Sequence, residues 1–133
     1  MKVILCVDKK NGMMFFGKRQ SRDRTQIEKM ISLVGNNKLW VSEYSASLFG
    51  GVSNLTIDND FEKNMDIDDY CFVEDIDVDF SKADTVIVYN WNRHYPADKY
   101  FLCDLKASGF KLIRKTEFEG FSHEKITEVI YEK

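Results

Sequence analysis

Cysteine is scarce and unpaired: Cys6, Cys71 and Cys103 are the only three in 133 residues, and no CxxC spacing occurs. Neither a disulfide framework nor a zinc ribbon is indicated, and the three read as small buried hydrophobes. Proline is almost absent, at one residue, and glycine numbers only seven, which excludes the low-complexity classes. No apolar run approaches the ~20 residues of a membrane span. The run VILCV at 3–7 is too short for a signal peptide and leads straight into charge, so the expectation is a cytoplasmic protein without membrane contact. Histidine occurs twice, as His94 and His123, too few for the clustered ligands of a metal-dependent nuclease, and no metal is expected. Neither GxGxxG nor GxxxxGK[ST] is present to cradle a phosphate.

What the chain does have is core material. It is 44% hydrophobic, 14% aromatic and 31% charged, the balance of one globular domain over 1–133 that folds without metal or disulfide. The net charge of -3 hides an asymmetry. Residues 1–38 carry nine Lys or Arg against three Asp or Glu, whereas 58–84 hold eleven carboxylates against Lys63 and Lys82. Such a distribution fits a phosphate-bearing ligand at the basic end, self-association of opposite faces, or two faces that are simply solvated.

Apolar patterning sets the elements. The segment KVILCV at 2–7 predicts a strand buried on both faces, and the Asn-Gly pair at 11–12 with Gly17 predicts a long loop over 8–20. Ile27, Met30, Ile31 and Val34 recur at helical spacing, which predicts a helix over 21–34 capped by Ser21. A second strand at 38–41 follows, then a short helix from Ser42 to Phe49, and further strands at 55–57, 70–73 and 85–89. The final segment is ambiguous: Ile126, Val129 and Ile130 fit a helix capped by Ser122, while Thr127, Val129, Ile130 and Tyr131 prefer a strand, and periodicity favours the helix. Alternation of strand and helix predicts an α/β domain with a mainly parallel sheet and an antiparallel finish.

Several clusters are candidates for chemistry. Lys9, Lys10, Lys18, Arg19, Arg22 and Arg24 lead into a helix N-terminus, where amides and guanidinium groups converge on anions, although a solvated loop has the same composition. Asp23 stands in the first turn of that helix, placed either to relay a proton or to oppose the helix dipole. Trp91, Arg93, His94 and Tyr95 combine aromatic and basic groups that would stack a base or pterin, or would pack at a strand end. Asp58, Asp60 and Glu62 begin like a calcium loop but lack its later Gly and Glu. A Ser-His-Asp or Cys-His nucleophile is open through Ser122 or Cys103, without a nucleophile elbow.

Taken in order, these segments resemble the dihydrofolate reductase family. VDKKNG at 7–12, the loop over 13–24 and Asp23 are similar to its first strand, mobile active-site loop and helix-borne acid. LWVSEYS at 39–45 resembles the strand and helix start that follow. DTVIVYNW at 84–91, YPADKYF at 95–101 and FSHEKITEVIYEK at 121–133 resemble its closing strands, which turns the ambiguous C-terminus into a strand. The resemblance implies a three-layer fold around a central mixed sheet, mostly parallel with an antiparallel C-terminal strand. It also implies NADPH as cofactor, a folate or pterin-like substrate and Asp23 as the catalytic acid. The chain is similar, too, to short proteins of Gram-positive anaerobes labelled ribonuclease Z, but the HxHxDH signature of that chemistry is missing.

The departures from the reductase pattern fall on the cofactor side. Glu74-Asp75 stands where a Gly-Gly pair admits the dinucleotide pyrophosphate, and two carboxylates there repel phosphate. The active-site Leu-Pro-Trp is replaced by the string GKRQS at 17–21, the helix entry that holds cofactor phosphate reads SEYS at 42–45, and a crossover near 74–83 is trimmed to a loop. The expectation is a reductase-like scaffold used for binding or regulation, with Lys18, Arg19, Arg22, Arg24 and Arg93 forming a basic pocket. An NADPH-dependent reductase is the alternative, and nucleic-acid binding is the weaker one because the chain is net acidic. Edge strands exposed by the trimmed crossover are available to pair in a homodimer.

Overall fold

The computed structural model describes residues 1–133. In chain order the elements are β1 (Lys2–Val7), β2 (Gly12–Phe15), β3 (Lys18–Arg19), α1 (Arg24–Val34), β4 (Leu39–Val41), β5 (Leu55–Ile57), α2 (Phe61–Asn64), β6 (Tyr70–Phe72), β7 (Thr85–Asn90), β8 (Lys99–Tyr100), β9 (Lys111–Phe118) and β10 (Ile126–Glu132). Two 3-10 turns, Ser45–Phe49 and Phe80–Lys82, complete them. Seven strands form the central sheet in the order β5-β4-β6-β1-β7-β10-β9. The first five run parallel, and β10 pairs antiparallel with both β7 and β9. No helix is long and apolar enough to cross a membrane.

Burial on both faces explains why β1 and β7 are apolar without interruption. Val3, Leu5 and Val7, with Val86 and Val88, pack into one cluster with Trp40, Phe61 and Phe110. Ile4, Ile87 and Tyr89 face the other way and meet Met30 and Val34 of α1. Helix α1 ends where Gly35 takes a positive φ of 60°, a conformation glycine adopts without penalty.

Four expectations need correction, those on the α1 cap, the 8–20 loop, the segment after Ser42 and the cysteines, whereas the expected antiparallel C-terminal strand is present. The cap of α1 is Asp23, not Ser21: its extended backbone (φ -149°, ψ 127°) lets the carboxylate accept from Gln26 N, so the helix begins three residues late. Residues 8–20 are not one loop, because β2 pairs with β3 and β8 in a small antiparallel sheet that folds the basic segment back on itself. The segment after Ser42 is a 3-10 turn rather than an α-helix. The C-terminus is a strand, as the resemblance implies and periodicity does not: β10 fills the gap between β7 and β9, where β-branched Thr127, Val129 and Ile130 are well suited. Of the cysteines, only Cys71 is buried, its thiol pushed up to about 12 by that burial, whereas Cys6 and Cys103 are partly exposed.

Burial ranks the consequences of substitution. Met30→Ala empties a fully buried site and is expected to cost about 2–5 kcal/mol. Leu112→Thr on the exposed strand β9 is expected to change stability by less than about 0.5 kcal/mol. Urea denaturation of both variants checks the contrast.

Candidate functional site

The parallel strands β1, β4, β6 and β7 all end on the same edge of the sheet, the edge where α/β proteins form their ligand crevices. Three carboxylates occupy it, and all are buried: Asp8 after β1, Glu74 after β6, and Asp23 at the start of α1. Each is saturated by the protein's own donors.

Asp8 accepts from the backbone N–H groups of Lys10, Gly12 and Tyr95 and from Gln20 Nε2, at 2.8–3.2 Å. Burial works against its charge, but those hydrogen bonds outweigh burial and hold its pKa below the ordinary carboxylate range. Glu74 receives a bidentate pair from Arg19, Nε to Oε2 and Nη2 to Oε1 at 2.9 Å each, and Ser45 Oγ donates to Oε1 at 2.7 Å. The Arg19 guanidinium also lies 4.6 Å from the Tyr44 ring centre.

Asp23 is the most heavily committed. Its Oδ1 accepts from Gln26 N at 3.1 Å and Phe121 N at 3.0 Å. Its Oδ2 accepts from Ser122 N at 2.8 Å and lies 2.9 Å from His123 Nδ1. Burial pushes the Asp23 carboxyl up, yet the His123 side chain and the amides of Ser122, Phe121 and Gln26 prevail and hold it far below the ordinary range. An ionised carboxylate offers no proton, so His123 Nδ1 carries the hydrogen and, in the neutral ring, Nε2 is left as an acceptor. Nε2 faces two hydroxyls, Ser21 Oγ at 2.9 Å and Tyr95 OH at 3.2 Å. Trp91 stacks on the ring at 4.6 Å between centres and 22° between planes. Gly120 makes the turn feasible, since a Cβ there would lie 2.6 Å from Asp23 Oδ2 and 2.9 Å from the His123 carbonyl.

Two cavities adjoin this cluster. One, among β1, β3, α1 and β6, holds about 10 Å³, room for about one water. Ser21, Arg19, Glu74 and Gln26 line it, and Gln26 Nε2 is buried there with no partner. The other is an open cleft of about 360 Å³ lined by Arg22, Arg24, Ile27, Glu28, Leu48, Phe121 and Ser122. Both are lined by Arg22, Ile27 and Leu48, so they lie side by side.

The expected basic pocket of five side chains does not form. Arg19 turns inward to Glu74, because β3 pairs with β2 and carries it to the end of β6. Arg22, Arg24 and Arg93 do gather around the turn at 121–122: Arg24 lies 4.5 Å over the Phe121 ring, and Arg93 Nη2 donates to the Ser122 carbonyl at 3.4 Å. Lys18 and His94 are exposed and line neither cavity. Trp91 is buried with a face taken by His123, which leaves that face unavailable for stacking a base or pterin. No group of His, Cys, Asp and Glu is arranged to hold a metal ion. His123 and Ser21 are the residues that sequence reasoning missed. The only signal for His123 was its place in the Ser-His-Glu string; Ser122, the serine considered there, stands beside Nδ1 at 3.3 Å and not beside Nε2.

No protein-family model matches the chain, and no curated protein sequence does. Among solved structures it is similar to the dihydrofolate reductase of Enterococcus faecalis complexed with NADP(H) and RAB-propyl. The TM-score is 0.71 at 12% identity, over 98% of this chain and 94% of that one. The fold is therefore dihydrofolate reductase-like.

The Asp23 network makes stability acid-sensitive. Its folded pKa lies below the unfolded one, so the stabilisation is complete above the unfolded carboxylate value and is lost as pH falls below about 4 toward the folded value. Asp23→Asn is expected to lower stability at neutral pH by about 3 kcal/mol and to flatten the acid limb. Thermal melts from pH 7 to pH 2 check both effects; an unchanged acid limb contradicts the assignment.

Proposed function

We propose that this chain uses a dihydrofolate reductase-like scaffold to bind a small anionic ligand with an apolar body, in the cleft beside α1, and has given up the dinucleotide. The observation that carries this reading is Glu74. A dinucleotide phosphate needs bare backbone amides beyond β6, and here a buried carboxylate holds that place, tied by Arg19 and Ser45, with Asp75 accepting from Ser42 Oγ at 2.7 Å. The adjoining cavity of about 10 Å³ supports it, being far smaller than a nicotinamide or pterin ring. The residues present do not fit NADPH.

The alternative, an NADPH-dependent reductase in which Asp23 assists protonation of a substrate ring, meets a carboxylate whose two oxygens are already engaged. The cleft is better suited to binding. Ile27, Leu48 and Phe121 offer an apolar wall, while Arg22 and Arg24 supply guanidinium groups for a carboxylate, sulfonate or phosphate end.

Two measurements test the reading. NADPH at 1 mM is expected to leave the melting temperature unchanged. A cofactor bound with a Kd near 10 μM would add about 2.7 kcal/mol, so a rise of about 5 °C or more contradicts the proposal. Naphthalene-2-sulfonate, followed by its own fluorescence, is expected to bind saturably, and the double variant Arg22→Gln, Arg24→Gln to bind it at least ten-fold more weakly. Equal affinity in that variant places the ligand elsewhere.

A further inference from the structure

We propose that Ser21, His123 and Asp23 form a nucleophilic relay that cleaves carboxylic esters. The substrate class rests on the cleft reading above: an acid or alcohol portion with an apolar body and an anionic end, held by Arg22 and Arg24.

Geometry carries the proposal. Ser21 Oγ, His123 Nε2, His123 Nδ1 and Asp23 Oδ2 lie in sequence, with both hydrogen-bonding separations at 2.9 Å. Asp23 fixes the tautomer, because its ionised carboxylate requires a hydrogen on Nδ1 and leaves Nε2 to take the serine proton. Trp91 holds the imidazole plane from one side. Ser122 is not the nucleophile, since its hydroxyl stands at the Nδ1 end. Tyr95 OH competes with Ser21 for Nε2 from 3.2 Å.

A second, independent observation points to a ligand atom. Gln26 is 2% exposed, and its Nε2 has no hydrogen-bond partner although it lines the same cavity as Ser21. An unpaired buried amide donor is costly unless something occupies it. The cavity of about 10 Å³ is the size of one oxygen-centred group, which suits a substrate carbonyl oxygen while the remainder of the ester lies in the open cleft.

The steps balance with water as the only co-reactant. Ser21 Oγ attacks the ester carbonyl carbon as its proton passes to His123 Nε2, and the developing oxyanion faces Gln26 Nε2. The C–O bond to the alcohol breaks, and that proton leaves with the alkoxide as the free alcohol. Water, deprotonated by Nε2, then attacks the acyl-serine carbonyl; the serine C–O bond breaks, and Ser21 recovers the proton as the free acid departs.

The test is labelling of the full chain by an ethoxy fluorophosphonate, read by intact mass and peptide mapping. One adduct on Ser21 is expected. Ser21→Ala, a change at a half-buried loop residue whose fold is confirmed by circular dichroism, is expected to abolish it, and His123→Gln to slow it at least 100-fold. The labelling rate is expected to rise with pH along a single titration limb, and Tyr95→Phe, which removes the competing hydroxyl, is expected to label at least as fast as the parent. Absence of an adduct, an adduct on another residue, or equal labelling of the urea-unfolded chain overturns the relay. Should His123→Gln fail to fold, the Ser21→Ala and Tyr95→Phe results decide alone. Naphthalene-2-sulfonate binding measured on Ser21→Ala separates the two proposals, because retained binding with no Ser21 labelling in the parent refutes the relay and leaves the cleft reading intact.

Discussion

The Asp23 carboxylate is the constraint on which the ligand edge of this molecule depends. It joins residues about a hundred positions apart: the first turn of α1 on one side, and the turn that leads into β10 on the other. An ion with no exposed surface is tolerable only when its oxygens are matched by donors, and here two helix-to-turn amide sets and an imidazole supply them. The rest follows from that match. His123 is held in one tautomer, its ring plane rests on Trp91, and the turn at 121–122 is drawn against α1, where it forms one wall of the open cleft.

The same device is repeated at Asp8 and Glu74, so the edge where the parallel strands end is lined with carboxylates already satisfied from within. The likeness to a dihydrofolate reductase at 12% identity shows how scaffold and site separate. The scaffold requires apolar side chains on both faces of β1 and β7 and an apolar stripe on α1, conditions that many sequences meet. The site requires particular atoms at particular distances, which a shared scaffold does not supply.

The sequence made the first kind of condition legible and concealed the second. The continuous run in β1 and the i, i+3, i+4, i+7 spacing in α1 were readable because each reports a buried face. Strand β9 was not, since Lys111 to Glu117 are exposed and carry no alternation to detect. Strand β10 misled because Ile126, Val129 and Ile130 imitate a helical stripe, whereas the real determinant is non-local: β7 and β9 both pair with it. Ser21 and Asp23 stand two residues apart and both suit a helix cap; only the demand of the 121–123 turn for an acceptor selects Asp23. The Arg19–Glu74 pair spans 55 positions, and no local pattern announces it.

On the function proposed above, the Asp23–His123 pair is closed by the protein itself and takes neither a dinucleotide nor a pterin. Proton–nitrogen NMR of the His123 ring tests it most directly. The account predicts a hydrogen on Nδ1 that exchanges slowly with water, as suits a side chain only 3% exposed, with ring shifts unmoved by millimolar NADPH or dihydrofolate. Rapid exchange of that hydrogen, or a saturable shift of the ring resonances on adding either compound, would contradict it.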